Sequence, residues 1–112
     1  MAAPEPIALR VRRLARLFGT AGISYLLGVA DSEVMRWASG HDAPDAKAIT
    51  MLTDLEDVFV RACLVWGREG ARSWMESPNV FFSGAAPFAV LRREGAARVL
   101  EVLDAEAWGG GA

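Results

Sequence analysis

The chain holds a single cysteine, Cys63, and a single histidine, His41. One thiol excludes an intramolecular disulfide. His41 sits in a predicted loop beside Asp42, and Cys63 falls on the apolar stripe of a predicted helix. They do not make a metal site, which needs several N, S or O donors converging on one point. No glycine-rich phosphate loop is present, because the run Gly109-Gly110-Gly111 precedes no helix. Carboxylates scatter over polar faces, and no pair sits in an apolar setting that would tune one of them as an acid. These absences argue against an enzyme, and no cofactor is expected. No apolar run approaches the ~20 residues that span a bilayer. Residues 1–9 are apolar but too short for a secretory signal, and they lack its basic start. A cytoplasmic, reducing setting is the expectation. Alternating apolar and polar runs are missing too, so no strand is predicted, and there are no internal repeats.

What is present is apolar material. The 112 residues suit one compact domain or two very small ones sharing a core, and 53% of them are hydrophobic. Four Trp, five Phe and four Met are many for this length. Either they fill the core, or the surplus marks a partner surface. Net charge is −2, with an uneven distribution. Residues 1–47 carry six Lys or Arg against five acids, and residues 48–112 carry six Arg against nine acids. That balance of +1 against −3 permits nucleic-acid contact at the N-terminal end without requiring it.

Helical spacing organises the chain. Residues 1–6 hold two prolines and read as a frayed arm. Ile7, Val11, Leu14, Leu17 and Phe18 recur at threes and fours, which predicts an amphipathic helix with Arg10, Arg12, Arg13 and Arg16 on a solvated face. Gly19 to Gly22 reads as a break, Ile23 to Leu27 as a short helix, and Gly28 as its left-handed C-cap. Asp31 or Ser32 is placed to cap a helix from about Glu33 to Ala38. Gly40 stops that helix. A long helix is predicted from Asp45 to Trp66, with Ile49, Leu52, Leu55, Val58, Phe59, Ala62 and Cys63 as its buried stripe. Gly67 ends it, and Arg68 to Met75 forms a further short helix before Ser77-Pro78. Asn79 caps a turn over Val80 to Phe82. Pro87 opens a helix to about Arg93. A last helix runs from Ala96 to about Ala107, followed by a flexible tail from Gly109.

Two short helices meeting across a glycine-containing turn have the layout of a helix-turn-helix. Ser24, four before Gly28, is the small residue at the expected close crossing. Val34, six after it, is the apolar plug. The run Val34 to Gly40 is similar to the end of the second helix in Xre/Cro-type domains. Base-reading helices use polar and cationic side chains. Here Ser32, Arg36 and Ser39 are the candidate DNA contacts, while Asp31 and Glu33 repel phosphates.

Trp74, Ser77-Pro78-Asn79, Gly84, Pro87, Gly95, Val99 and Leu103 together resemble the toxin-binding domain of the Xre–MbcA–ParS antitoxins. The likeness spans about Arg68 to Trp108. Residues Ile7 to Ala43 resemble the N-terminal region of the same family. The resemblance implies an all-α protein: an Xre/Cro-like helix-turn-helix region with its long connecting helix over residues 1–66, then a small toxin-binding domain over 67–112. It implies an antitoxin of a type II pair whose partner is a RES-domain, NAD-consuming toxin, blocked at its active-site cleft. It further implies a homodimer and binding to the protein's own promoter. Trp74 is expected chiefly as a core anchor, with Pro78 and Asn79 shaping the turn. Trp108, beside the glycine tail, is the expected interface hot spot. With Ala107, Gly109, Gly110, Gly111 and Ala112 it would approach the toxin, framed by Arg92, Arg93 and Arg98. The alternative is a stand-alone helix-turn-helix transcriptional regulator.

Overall fold

The computed structural model describes residues 5–109, and these are helical with no strand among them. The elements are α1 (Ile7–Phe18), α2 (Thr20–Leu27), α3 (Asp31–Ala38), α4 (Ala46–Glu76), a 3-10 turn (Val80–Phe82), α5 (Pro87–Glu94) and α6 (Ala96–Gly109). They fall into two compact units, Met1–Leu52 and Thr53–Ala112, with the division inside α4. The backbone break expected at residues 66/67 is present, but it lies within the second unit.

In the first unit α1, α2 and α3 pack on one another. Val11, Leu14, Leu17, Phe18, Ile23, Leu26, Val34 and Trp37 form the buried set, so the stripe predicted for α1 is in place from Val11 on, with Ile7 half-buried, and so is the plug at Val34. Each such side chain contributes roughly 1.5–3 kcal/mol on burial. Gly28 adopts the left-handed conformation, and its N–H reaches the carbonyls of Ser24 and Tyr25, as a C-cap should.

Two local expectations are corrected. The break before α2 is Gly19 alone, and Thr20, Ala21 and Gly22 belong to the helix. The N-cap of α3 is Ala30, which makes no side-chain cap. Asp31 is already helical, and its carboxylate accepts the Ser24 hydroxyl instead. Ser24 therefore ties the end of α2 to the start of α3 by a polar bond as well as by its small size. Arg12 is exposed, as expected, and also donates through Nε to the Ala38 carbonyl at 3.0 Å. A cation there satisfies an orphan carbonyl at the negative end of α3.

The second unit is built from the rest of α4, the 3-10 turn, α5 and α6. Asp45 caps the start of α4 by accepting the Ala48 N–H at 2.8 Å. Along α4 the buried stripe is Leu52, Leu55, Val58, Phe59 and Ala62, whereas Ile49 and Cys63 are only half-buried. Burial pushes the Cys63 thiol up from its ordinary value, against the opposing charge of Arg68. Gly67 leaves helical geometry, at φ 76° and ψ 173°, a conformation open to glycine and strained for other residues. The break turns Trp74 back onto Trp66, with ring centroids 5.2 Å apart. Pro87 opens α5 at its first turn, and α5 packs on α6. The last helix is longer than predicted. It runs through Gly109, so Trp108 is a helical residue and not part of a tail.

A polar clamp and an outward tryptophan in the second unit

Asn79 is 7% exposed and is the one buried polar side chain among the described residues. All of its polar groups are used. Its Oδ1 accepts the Phe81 N–H at 2.9 Å, which caps the 3-10 turn as expected. Its own N–H donates to the Ala85 carbonyl at 3.1 Å, and its carbonyl accepts the N–H groups of Phe82 at 3.0 Å and Gly84 at 2.9 Å. Its Nδ2 donates to Glu106 Oε1 at 3.0 Å. One residue thus folds the loop from Asn79 to Ala85 around itself and fastens it to α6.

Glu106 is the residue that sequence reasoning missed. Its second oxygen accepts the indole N–H of Trp74 at 2.7 Å. Trp74 is accordingly half-buried and hydrogen-bonded, not a plain core anchor. A signal was there to find. Val99 and Leu103 are 0% and 1% exposed, and Glu106 continues their series at three further on. At about 100° per residue these three share one face of α6. A carboxylate at the end of an apolar stripe asks for buried donors, and Trp74 and Asn79 provide them. Among the described residues no buried side-chain N or O lacks a partner.

The same helical phase throws Trp108 outward. It lies two residues, about 200°, beyond Glu106. It is 84% exposed. Ala107 beside it is exposed as well, and Gly109 closes the helix. Gly110, Gly111 and Ala112 lie outside the described residues. Elsewhere in this unit Val80 is 86% exposed and Leu64 81%, with Phe81, Val60, Val65 and Trp66 also open. Pro78 is exposed at the turn. Ser77 Oγ donates to the Ser73 carbonyl at 2.6 Å and so closes the end of α4.

The three arginines expected to frame this surface are all exposed. Arg93 lies 3.4 Å from Glu94. Arg98 pairs with Glu94 at 3.0 Å and sits over the Phe82 ring, 5.2 Å from its centroid. In the first unit Ser32, Arg36 and Ser39 are exposed on α3 or at its end. Arg36 pairs with Asp42 at 2.9 Å, and the Ser39 hydroxyl donates to the Arg36 carbonyl at 2.9 Å. No group of three or more His, Cys, Asp and Glu side chains converges among the described residues. No helix there is long and apolar enough to cross a membrane.

Several large apolar side chains turned to water, one of them at the end of a clamped helix, are what a protein-binding module presents. Comparison with known proteins gives the class a name. Residues 55–109 match the antitoxin Xre/MbcA/ParS C-terminal toxin-binding domain. The chain also resembles one from the crystal structure of the M. tuberculosis MbcT-MbcA toxin-antitoxin complex, at 26% identity and a TM-score of 0.75. That likeness covers 95% of this chain and 97% of the other. No curated protein matches. Over residues 55–109 the chain carries the toxin-binding domain of the Xre/MbcA/ParS antitoxins.

Proposed function

We propose that this antitoxin neutralises a RES-domain, NAD-consuming toxin by docking the C-terminal end of its second unit against the toxin's active-site cleft. The observation that carries the reading is Trp108, 84% exposed on the final turn of a helix whose inward face is pinned by Glu106. An exposed aromatic on a fixed backbone loses little freedom on binding and fills a pocket well. Ala107, Trp108 and Gly109, with Gly110, Gly111 and Ala112 beyond them, form the contact. Trp74, Pro78 and Asn79 shape its support. Arg92, Arg93 and Arg98 face toxin carboxylates. The family match over residues 55–109 and the likeness to a chain of a toxin-antitoxin complex support this reading. The role is that of a cytoplasmic binding protein, not an enzyme, acting as a homodimer within a larger complex.

The test is growth rescue in cells expressing the proposed RES-domain toxin partner. Trp108→Ala is expected to lose rescue while the purified protein keeps its melting temperature. Full rescue by that variant contradicts the docking mode.

A subordinate reading is operator binding through α3, by Ser32, Arg36 and Ser39, either as autorepression or as the work of a stand-alone regulator. The three-residue connection between α2 and α3, with Val34 buried between them, supports it. Arg36 must exchange Asp42 for DNA in that case. A gel shift on the upstream DNA at low salt tests it: a band lost in Arg36→Ala supports α3 as the reading helix, and no band with the wild type removes it.

A further inference from the structure

We propose that Glu106 is the positioning residue that sets the rotational phase of the last turns of α6, and through it the outward display of Trp108. The inference rests on the docking mode above. It adds a residue that makes no contact with the toxin.

The geometry is that of two donors meeting two acceptors. Trp74 Nε1–H and Asn79 Nδ2–H reach the two oxygens of one carboxylate, at 2.7 and 3.0 Å. Both donors come from residues 27 and 32 positions away in the chain, so the bonds fasten α6 to the end of α4 and to the 3-10 turn at once. Bonds to a carboxylate are the stronger kind, and these are partly shielded from water. Without them the final turn has a competing arrangement. Trp108 is the most apolar side chain of that turn, and rolling it inward would bury it. Glu106 opposes this roll, because its charge is satisfied only in the observed phase. The clamp thus keeps an apolar side chain in water in the free protein and preorganised for a partner.

Isosteric changes separate this role from simple packing. Glu106→Gln keeps the size but has one acceptor, so its NH2 group meets either Trp74 or Asn79 donor against donor. Asn79→Asp alone sets carboxylate against carboxylate. The two changes together restore every bond. The new aspartate accepts the Phe81 N–H with one oxygen and the glutamine NH2 with the other. The glutamine oxygen accepts the Trp74 indole.

The experiment uses the full chain and its proposed RES-domain toxin partner. Calorimetry gives the affinity, and the Trp74 indole N–H resonance gives the state of the clamp through its protection from solvent exchange. Glu106→Gln is expected to lose that protection and to bind the toxin roughly tenfold more weakly or worse. The paired variant is expected to recover both. Unchanged affinity in Glu106→Gln overturns the proposal. So does a paired variant that regains indole protection without regaining affinity. If the wild type itself does not bind the toxin, the docking mode fails, and the indole readout still reports whether the clamp exists.

Discussion

The two units of this chain are held together in different ways. In the first, the polar bonds sit at helix ends: Gly28 caps α2, Ser24 meets Asp31, and Arg12 reaches across 26 positions to a backbone carbonyl at the end of α3. In the second, side chains also bond one another across long separations in sequence. Arg61 pairs with Asp104 across 43 positions at 2.9 Å, and Glu106 collects Trp74 and Asn79. Their surfaces differ as well. Among the described residues, Leu9, Tyr25 and Met35 are the large apolar side chains exposed in the first unit, whereas the second exposes Val60, Leu64, Val65, Trp66, Val80, Phe81 and Trp108. Long-range polar bonds hold a unit in shape while leaving apolar surface uncovered for a partner. The second unit is the one that matches a toxin-binding domain.

The sharpest way to break this comparison is to open the core of one unit. Leu103→Ala removes a side chain that is 1% exposed. It should cost about 2–5 kcal/mol in urea unfolding. Amide exchange should accelerate over residues 53–109 and far less over 5–52. Equal acceleration in both would show that the units are one energetic body.

Next in size is Asn79→Ala. It leaves the Phe81 N–H without its cap and takes one donor from Glu106. A loss of about 2–3 kcal/mol is expected, read by thermal unfolding. A loss under about 0.5 kcal/mol would mean that the clamp is ornamental, since that is the scale of ordinary surface changes.

Gly70→Ala probes the break in α4. A Cβ there would lie 2.8 Å from Trp66 Cβ, an atom that no rotamer change can move away. Overpacking costs about 1–3 kcal/mol. The helical gain of alanine over glycine returns only about 0.5–1 kcal/mol. The net effect is destabilising, by about 1 kcal/mol, and the near-UV circular dichroism of the Trp66–Trp74 stack should change with it. A stabilised variant with an unaltered spectrum would contradict the close approach.

The smallest expected effect is at Asp54, whose pKa is raised by partial burial and by the nearby Asp57. The folded state therefore holds this proton more tightly than the unfolded one. Stability falls as pH rises from the ordinary aspartate range through the raised value. Asp54→Asn should remove that slope and leave the protein slightly more stable at pH 7. An unchanged pH profile between 3 and 6 would refute the assignment.

The fold was largely legible because helices announce themselves by spacing and punctuation. Val11 to Phe18, five of the seven predicted α4 stripe residues, Gly28, Gly67, Asn79 and Pro87 occupy the roles that their local chemistry suggested. What was not legible depended on tertiary partners. Asp31 looked like a cap because Asp before a helix usually is one, but Ser24 offered it a better bond. The bond from the exposed Arg12 left no pattern, because its acceptor, the Ala38 carbonyl, is 26 residues away. Glu106 looked like any exposed carboxylate until Trp74 and Asn79 were seen to converge on it. The exposure of Trp108 was legible, because its size beside a run of glycines had no obvious place in a core. The clamp that holds it outward was not, because two donors from separate elements leave no spacing pattern.

The most direct measurement is a calorimetric titration of the RES-domain toxin with the full chain and with a chain ending at Ala107. The account predicts tight binding by the first. The second should bind at least about a hundredfold more weakly, as expected on losing a central aromatic anchor, with an unchanged unfolding transition. Equal affinity for both would contradict it.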